Sequence, residues 1–174
     1  MPGDAPGMRI TFGTEAALAA YVFPLVMAGV SDYASLRIPN WLTGCFAGLF
    51  PAVALLVGHD VDWLSHLEAG LSVLLAAFAL FACRIVGGGD AKLLAATALW
   101  IGLGHLAPFL VLTALAGGAF ALSLMLVRSP FGQASLLTMF RRLPSLARPD
   151  NPIPYGIPIA IAGILLAPSL SFLA

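Results

Sequence analysis

The sequence contains very little charge. Only 9% of its 174 residues are charged, and eight Lys and Arg residues balance eight Asp and Glu residues to a formal net charge of zero. A soluble domain usually carries about 25% charged residues, so this chain cannot cover a globular surface with polar groups. The absence of net positive charge also gives no electrostatic support for a nucleic-acid partner.

Residues that bind metals or form disulfides are scarce as well. Cys45 and Cys83 both lie in apolar runs and form no CxxC pair, so we expect two small buried hydrophobic side chains. His59, His66 and His105 share no ligand spacing, and we expect interfacial or solvated imidazoles. The sequence therefore predicts neither a metal site nor any other cofactor.

Apolar residues, by contrast, are abundant. They make up 60% of the chain, and the mean hydropathy is +0.99. The apolar runs do not alternate with polar residues as strands of a membrane barrel do. We therefore predict an all-α polytopic membrane protein, with a single membrane-embedded domain over residues 1–174. The predicted spans are residues 16–36, 41–57, 69–86, 91–103, 107–127 and 157–173, and His105 with Pro108 marks the turn between the fourth and fifth.

The basic residues predict the orientation of these spans. All but Arg9 lie in or beside the first, third and fifth connections. By the positive-inside rule, these connections face the cytoplasm and both termini face outward. The residues concerned are Arg37, Arg84, Lys92, Arg128, Arg141, Arg142 and Arg148.

The fifth connection, residues 128–154, is the only long one, and it has two interpretations. Four apolar residues at helical spacing accompany Arg141 and Arg142, which is typical of a short interfacial helix whose arginines lie near anionic lipid headgroups. A solvated basic loop that only sets the topology is the alternative. The apolar residues are Leu136, Leu137, Phe140 and Leu143.

Two acidic residues lie where a membrane helix gains nothing from them. Asp90 follows three consecutive glycines, Gly87 to Gly89, between two apolar runs. Residues 16–30 rise only about 22 Å as a helix, short of a hydrocarbon core of about 30 Å, so the first span must continue past Asp32. That places Asp32 inside the apolar boundary by roughly 8 Å, on the same side as Asp90.

Capping offers a structural explanation for only part of this pattern. Asp90 could be the N-cap of the helix that follows, worth about 1 kcal/mol. Asp32 has no such explanation, because a carboxylate near a helix C-terminus opposes the helix dipole. Capping also leaves the glycines unexplained. Acidic residues inside membranes are generally functional, so we interpret the two aspartates as a functional pair.

Two carboxylates at one depth on different helices suit one chemistry well. If their oxygens meet, both cannot ionise, and the pair shares a proton. The ionised member can then activate water while the protonated member donates to a scissile carbonyl, as in aspartic proteases. The glycines would let a peptide lie against the backbone and pair with it as an extended strand.

Three motifs in order carry a family resemblance. Gly87-Gly88-Gly89-Asp90, with Lys92 and Leu93 after it, resembles the GxGD motif of intramembrane aspartic proteases, and within them the GGGDxKL form of type IV prepilin peptidases. Asp32 with its downstream Ile38-Pro39-Asn40 resembles their first motif. Pro154-Tyr155-Gly156 resembles a proline–aromatic–glycine element at the start of their last helix.

The resemblance implies a peptidase that removes the positively charged leader of pilin-like precursors at the cytoplasmic face of the bacterial inner membrane, usually after a glycine. It implies that Asp32 and Asp90 are catalytic. It also implies that the other motif residues bind substrate or support the site, although it assigns no role to Lys92. These residues are Gly87, Gly88, Gly89, Lys92, Pro154, Tyr155 and Gly156.

The chain also departs from the larger family members. They carry a cytoplasmic insertion with two CxxC pairs and N-methylate the pilin, whereas the first connection here, residues 37–40, leaves no room for an insertion. The compact form is similar to the peptidases of Flp/Tad pilus systems, and we expect no methyltransferase activity.

Another class of function also accommodates the two acids. A small transporter or channel subunit could use Asp32 and Asp90 as proton or cation ligands. The sequence shows no inverted repeat to support that hypothesis. A membrane scaffold would explain the helices but would leave both acids unexplained.

Overall fold

The computed structural model describes residues 6–57, 61–133 and 151–170, and this part of the chain is helical without any strand. The predicted interfacial helix, with Arg141 and Arg142, lies outside the described residues. The helices bounded within them are α1 (Pro6–Ser35), α2 (Asn40–Val57), α3 (Trp63–Ala82), α4 (Gly88–Arg128) and α5 (Gly156–Leu166), which a short 3-10 turn at Ala167–Ser169 follows.

The helices have the composition of membrane spans. In the described part of the chain, three segments are long and apolar enough to cross a bilayer, namely Thr14–Ser35, Trp63–Ala82 and Gly88–Arg128. Asn40–Leu56 and Gly156–Ser169 are apolar but shorter. The prediction of an all-α membrane protein is thereby confirmed.

Helix α4 contains a break that divides it in two. Gly102 has φ 71° and ψ 172°, a left-handed conformation that glycine adopts without a steric penalty. The break separates residues 88–101 from residues 103–128, so all six predicted helical segments are present. The predicted turn at His105 and Pro108 was wrong, because Pro108 lies inside the second part of the helix.

The two parts of α4 fold back past each other. Asp90 and Gly118 line the same cavity, whereas a straight helix would separate them by about 42 Å. The first part therefore runs away from the aspartates and the second part returns toward them.

Two residues at the start of α3 hydrogen-bond to the backbone at the break in α4. The ring Nδ1 of His66 lies 2.8 Å from the carbonyl oxygen of Leu99, and the N–H of Leu103 donates to Ser65 Oγ at 3.0 Å. These contacts satisfy backbone groups that the break leaves without an intrahelical partner. His66 is consequently buried, contrary to the interfacial or solvated position that the sequence predicted.

The core joins α1, α2, α4 and α5 through large aromatic side chains. Tyr21 and Phe46 pack on Trp100, with ring centroids 5.4 and 5.3 Å away. Trp100 Nε1 donates to the carbonyl of Phe46 at 2.8 Å, and the Tyr21 hydroxyl donates to the carbonyl of Gly163 at 2.9 Å. Each polar tip therefore has a partner inside the apolar interior.

The cysteines lie on the surface of this core rather than within it. Cys45 and Cys83 are both exposed and free, so the prediction that they are buried was wrong. Two helices also begin earlier than predicted. α1 begins at Pro6, and α3 begins at Trp63 because the Asp62 side chain caps it by accepting the N–H of Ser65 at 3.2 Å.

Candidate active site

Asp32 lies in the last turn of α1 and is fixed there by a backbone amide. Its side chain is buried, with 4% of its surface exposed. The N–H of Gly156, at the start of α5, donates to Asp32 Oδ2 at 2.7 Å. Helix α1 ends just beyond it, where Leu36 takes a φ of 54° and donates its N–H to the carbonyl of Asp32 at 2.8 Å. The remaining carboxylate oxygen, Oδ1, has no such amide partner among the described residues.

Gly156 can supply this amide only because it has no side chain. A Cβ at this position would lie 2.8 Å from Asp32 Oδ2 and 3.0 Å from Ile38 Cδ1. Pro154 is buried just before it, and Tyr155 is the N-cap residue of α5. The Pro154-Tyr155-Gly156 element therefore begins the last helix, and its glycine contacts the first aspartate.

Asp90 lies in the first turn of α4 and is less enclosed. The N-cap of this helix is Gly87, which makes Asp90 the third helical residue, so the capping interpretation of Asp90 was wrong. An acidic side chain in a first turn is favoured by the helix dipole. Among residues 6–57, 61–133 and 151–170, no group hydrogen-bonds to the Asp90 carboxylate. This carboxylate is therefore available to a ligand.

The three glycines before Asp90 provide space rather than an unusual backbone. None of them has a positive φ, and the left-handed residue of this connection is Arg84, with φ 60°. A Cβ on Gly87 would lie 2.8 Å from Asp90 Oδ2, and one on Gly88 would lie 3.1 Å from the Phe81 ring. A Cβ on Gly89 would lie 3.3 Å from Ile38 Cβ. The glycines thus let the start of α4 approach α3 and the first connection.

Both aspartates line the same two cavities. The larger has a volume of about 860 Å³ and also contacts Gly87 and Tyr155. The smaller, of about 270 Å³, adds Gly88 and Gly89. The structure thus brings together the two aspartates, the three glycines and Tyr155. The other predicted site residues line neither of these cavities, namely Lys92, Pro154 and Gly156.

Lys92 has a structural partner that the sequence did not predict. Its Nζ donates to Asn40 Oδ1 at 2.9 Å. Asn40 begins α2 and ends the Ile38-Pro39-Asn40 motif, and it also lines the smaller cavity. The bond therefore joins the first motif to the second. Sequence reasoning quoted Asn40 but gave it no function.

Such a site can carry out acid–base chemistry on a bound peptide. Two carboxylates on separate helices face one space that is large enough for a peptide segment and water. Nothing in the described residues groups three His, Cys, Asp or Glu side chains around a point as a metal site would. Acid–base chemistry by the two carboxylates needs no further group.

The chain also matches a known family. The model of the type IV leader peptidase family matches residues 19–122. The matched region includes Asp32, Asp90 and the glycines between them, and it ends before Pro154. Neither the curated proteins nor the solved structures gave a match. Because the family model covers more than half of the sequence, the chain belongs to the type IV leader peptidase family and is a membrane protease of the leader peptidase type.

Proposed function

We propose that the protein is an aspartic endopeptidase that cleaves the leader peptide of pilin-like precursors at the cytoplasmic face of a bacterial inner membrane. The main support is that Asp32 and Asp90, on separate helices, line one cavity. The family assignment favours proteolysis over the transporter hypothesis, which uses the same acids.

In the proposed reaction, the two carboxyl groups share one proton. The ionised member takes a proton from water as the water oxygen attacks the scissile carbonyl carbon, and the protonated member donates its proton to the carbonyl oxygen. The resulting diol collapses when a proton passes to the peptide nitrogen and the C–N bond breaks. Gly156 engages Oδ2 of Asp32, so we assign Oδ1 to the water.

The proposed orientation depends on the predicted topology. Arg37 lines the smaller cavity, and Arg84 lies three residues before Gly87. Both belong to connections that the positive-inside rule assigns to the cytoplasm. A reporter fused to the C-terminus should give an outside signal. A cytoplasmic signal there would place the two aspartates on the wrong side for a cytoplasmic leader.

We also propose that the protein does not methylate its product. Helix α1 ends at Ser35 and α2 begins at Asn40, which leaves no space for the insertion that accompanies methylation in the larger family members. Mass spectrometry of pilin matured by this enzyme alone should show an unmodified N-terminus. Methyl transfer from S-adenosylmethionine by the purified protein would contradict this.

Replacement of each aspartate by asparagine tests the proposal. Asn keeps the size of Asp but cannot ionise or transfer a proton, so Asp32→Asn and Asp90→Asn should each reduce leader cleavage by about 10³-fold or more. The double variant should be no worse, because the two groups act as one unit. Near wild-type cleavage by either single variant at normal membrane levels would refute the proposal.

Asp62→Asn is the matched control. Asp62 is a carboxylate that caps α3 and does not line either cavity with the aspartates. Asn is an equally favoured N-cap, so this variant should cleave the precursor at the wild-type rate.

A further inference from the structure

We propose that Thr113 is a substrate-binding residue whose hydroxyl donates a hydrogen bond to a backbone carbonyl of the precursor, close to the scissile bond. This inference rests on the proposed function and adds a contact that none of the three motifs contains.

The first observation is that the Thr113 hydroxyl is unpartnered. In the described residues, Thr113 Oγ1 is the buried side-chain nitrogen or oxygen that has no hydrogen-bond partner. Other hydroxyls in these helices bond to a carbonyl of the preceding turn, such as Thr97 to Leu93 at 2.8 Å and Ser123 to Ala119 at 2.8 Å. A buried polar atom without a partner lowers stability, so it calls for a ligand or another explanation.

The second observation is the position of Thr113 in the wall of the larger cavity. Asp32, Asp90, Thr113 and Tyr155 are the four polar side chains among the described residues that line it. The rest of the lining is aliphatic or glycine. Around Thr113, that lining consists of Leu110, Ala114, Gly117 and Gly118.

The third observation is depth. Leu94 lies one turn beyond Asp90 on the first part of α4, and Leu110 lies nearly one turn before Thr113 on the returning part. The cavity therefore extends from the aspartates toward the membrane interior, with Leu94 and Leu110 at its deep end. Thr113 lies 11 residues after Gly102 and Asp90 lies 12 residues before it, so the two are at about the same depth. A precursor whose scissile bond lies beside Asp90 therefore passes Thr113 close to that bond.

A hydroxyl at this position can supply a hydrogen bond that the bound substrate lacks. A peptide must be extended where it is cleaved, and its N–H and C=O groups then lack the partners that a helix provides. An apolar wall offers them nothing. The Thr113 oxygen is covered in the substrate-free protein, so its hydroxyl becomes a donor to the precursor when the side chain rotates toward the cavity. Small residues beside it leave room for the chain.

Thr113→Val tests the assignment, since valine has nearly the same shape but no hydroxyl. A hydrogen bond present in both the bound substrate and the transition state affects binding alone, so we expect KM for a precursor to rise about fivefold to tenfold with kcat almost unchanged. Thr113→Ser should restore KM. Ser123→Ala, which removes a partnered hydroxyl elsewhere on α4, should leave KM unchanged.

The melting temperature of Thr113→Val is a second measurement. A purely structural role of the hydroxyl would lower it. Removing a buried hydroxyl without a partner should leave the melting temperature of the substrate-free enzyme unchanged or higher. A lower melting temperature with an unchanged KM would overturn the assignment of Thr113. In that outcome, inactive Asp32→Asn and Asp90→Asn variants would still support the peptidase, whereas active ones would remove the basis of both proposals.

Discussion

The molecule interrupts its helices with glycine at two places, and the two interruptions are built differently. At Gly102 the backbone adopts a positive φ, and His66 and Ser65 bond to the groups that the break releases. At Gly87 to Gly89 no glycine has a positive φ, and the nearby Asp90 carboxylate faces a cavity without a hydrogen bond from the described residues. We call the break at Gly102 closed, because neighbouring side chains bond to its backbone. We call the break at Gly87 to Gly89 open, because a carboxylate beside it faces a cavity.

The difference separates two uses of glycine. Gly102 is needed for its conformational freedom, and side chains of α3 bond to the backbone groups beside it. Gly87 is needed for its size, since a Cβ there would meet the carboxylate of Asp90. A closed break serves folding, and an open break provides a site. Substitutions at the two breaks should therefore affect different measurements.

Apart from the aspartate variants, the largest effect should come from Gly87→Ala. The new methyl group would lie 2.8 Å from Asp90 Oδ2, and a carboxylate can rotate away, so the protein should still fold. A displacement of about 1 Å at a reacting group can reduce the rate about 100-fold, and we expect a loss of cleavage of that order. Cleavage at the wild-type rate would show that the open break does not position Asp90.

Gly102→Ala should have the opposite profile. An alanine at φ 71° and ψ 172° costs about 1–3 kcal/mol, and its Cβ would also approach the His66 ring at 3.2 Å. We expect a lower melting temperature in detergent, with unchanged kcat for the molecules that remain folded. A loss of kcat without a loss of stability would mean that the closed break also serves catalysis.

A smaller effect is expected from Lys92→Met. This change removes the bond from Nζ to Asn40 Oδ1, at 2.9 Å, while keeping most of the side-chain volume. Because the bond is exposed to solvent, we expect cleavage to fall only about twofold to fivefold. If the bond is responsible, Asn40→Ala should lower the rate equally, and the double variant should be no worse than either single variant.

The smallest effect should be that of Ser65→Ala. It leaves the N–H of Leu103 without the Oγ partner now at 3.0 Å. The loss should be about 1 kcal/mol, and cleavage by the folded enzyme should not change. Thermal melting together with a cleavage assay measures both. If Ser65→Ala lowered cleavage more than Lys92→Met does, the break at Gly102 would affect catalysis, contrary to our expectation.

The sequence predicted the helices better than their breaks. Spans follow from hydropathy, which local residues determine, so all six segments could be located. The turn after the fourth span could not, because Gly102 and Pro108 are both candidate breakers. In a membrane, neighbouring groups can tolerate a proline inside a helix, so Pro108 is a weaker marker than in a soluble protein.

The site was predictable as a set of residues but not as a geometry. The motifs named Asp32, Asp90 and the glycines. The amide of Gly156 that bonds Asp32 lies 124 residues away in the chain, and local pattern does not specify such a contact. Thr113 gave no signal, because a single threonine in an apolar run looks like any other hydroxyl bonded to its own helix.

The bond between Gly156 and Asp32 also has a consequence for biosynthesis. Asp32 leaves the ribosome with α1, whereas the amide that fixes it belongs to α5 and is translated 124 residues later. The Tyr21 hydroxyl likewise gains its acceptor, the carbonyl of Gly163, only when α5 has been translated. A chain interrupted before residue 156 therefore holds an aspartate that no amide fixes. The site is therefore finished only after α5 has been translated, so shorter chains that remain in the membrane lack the finished arrangement.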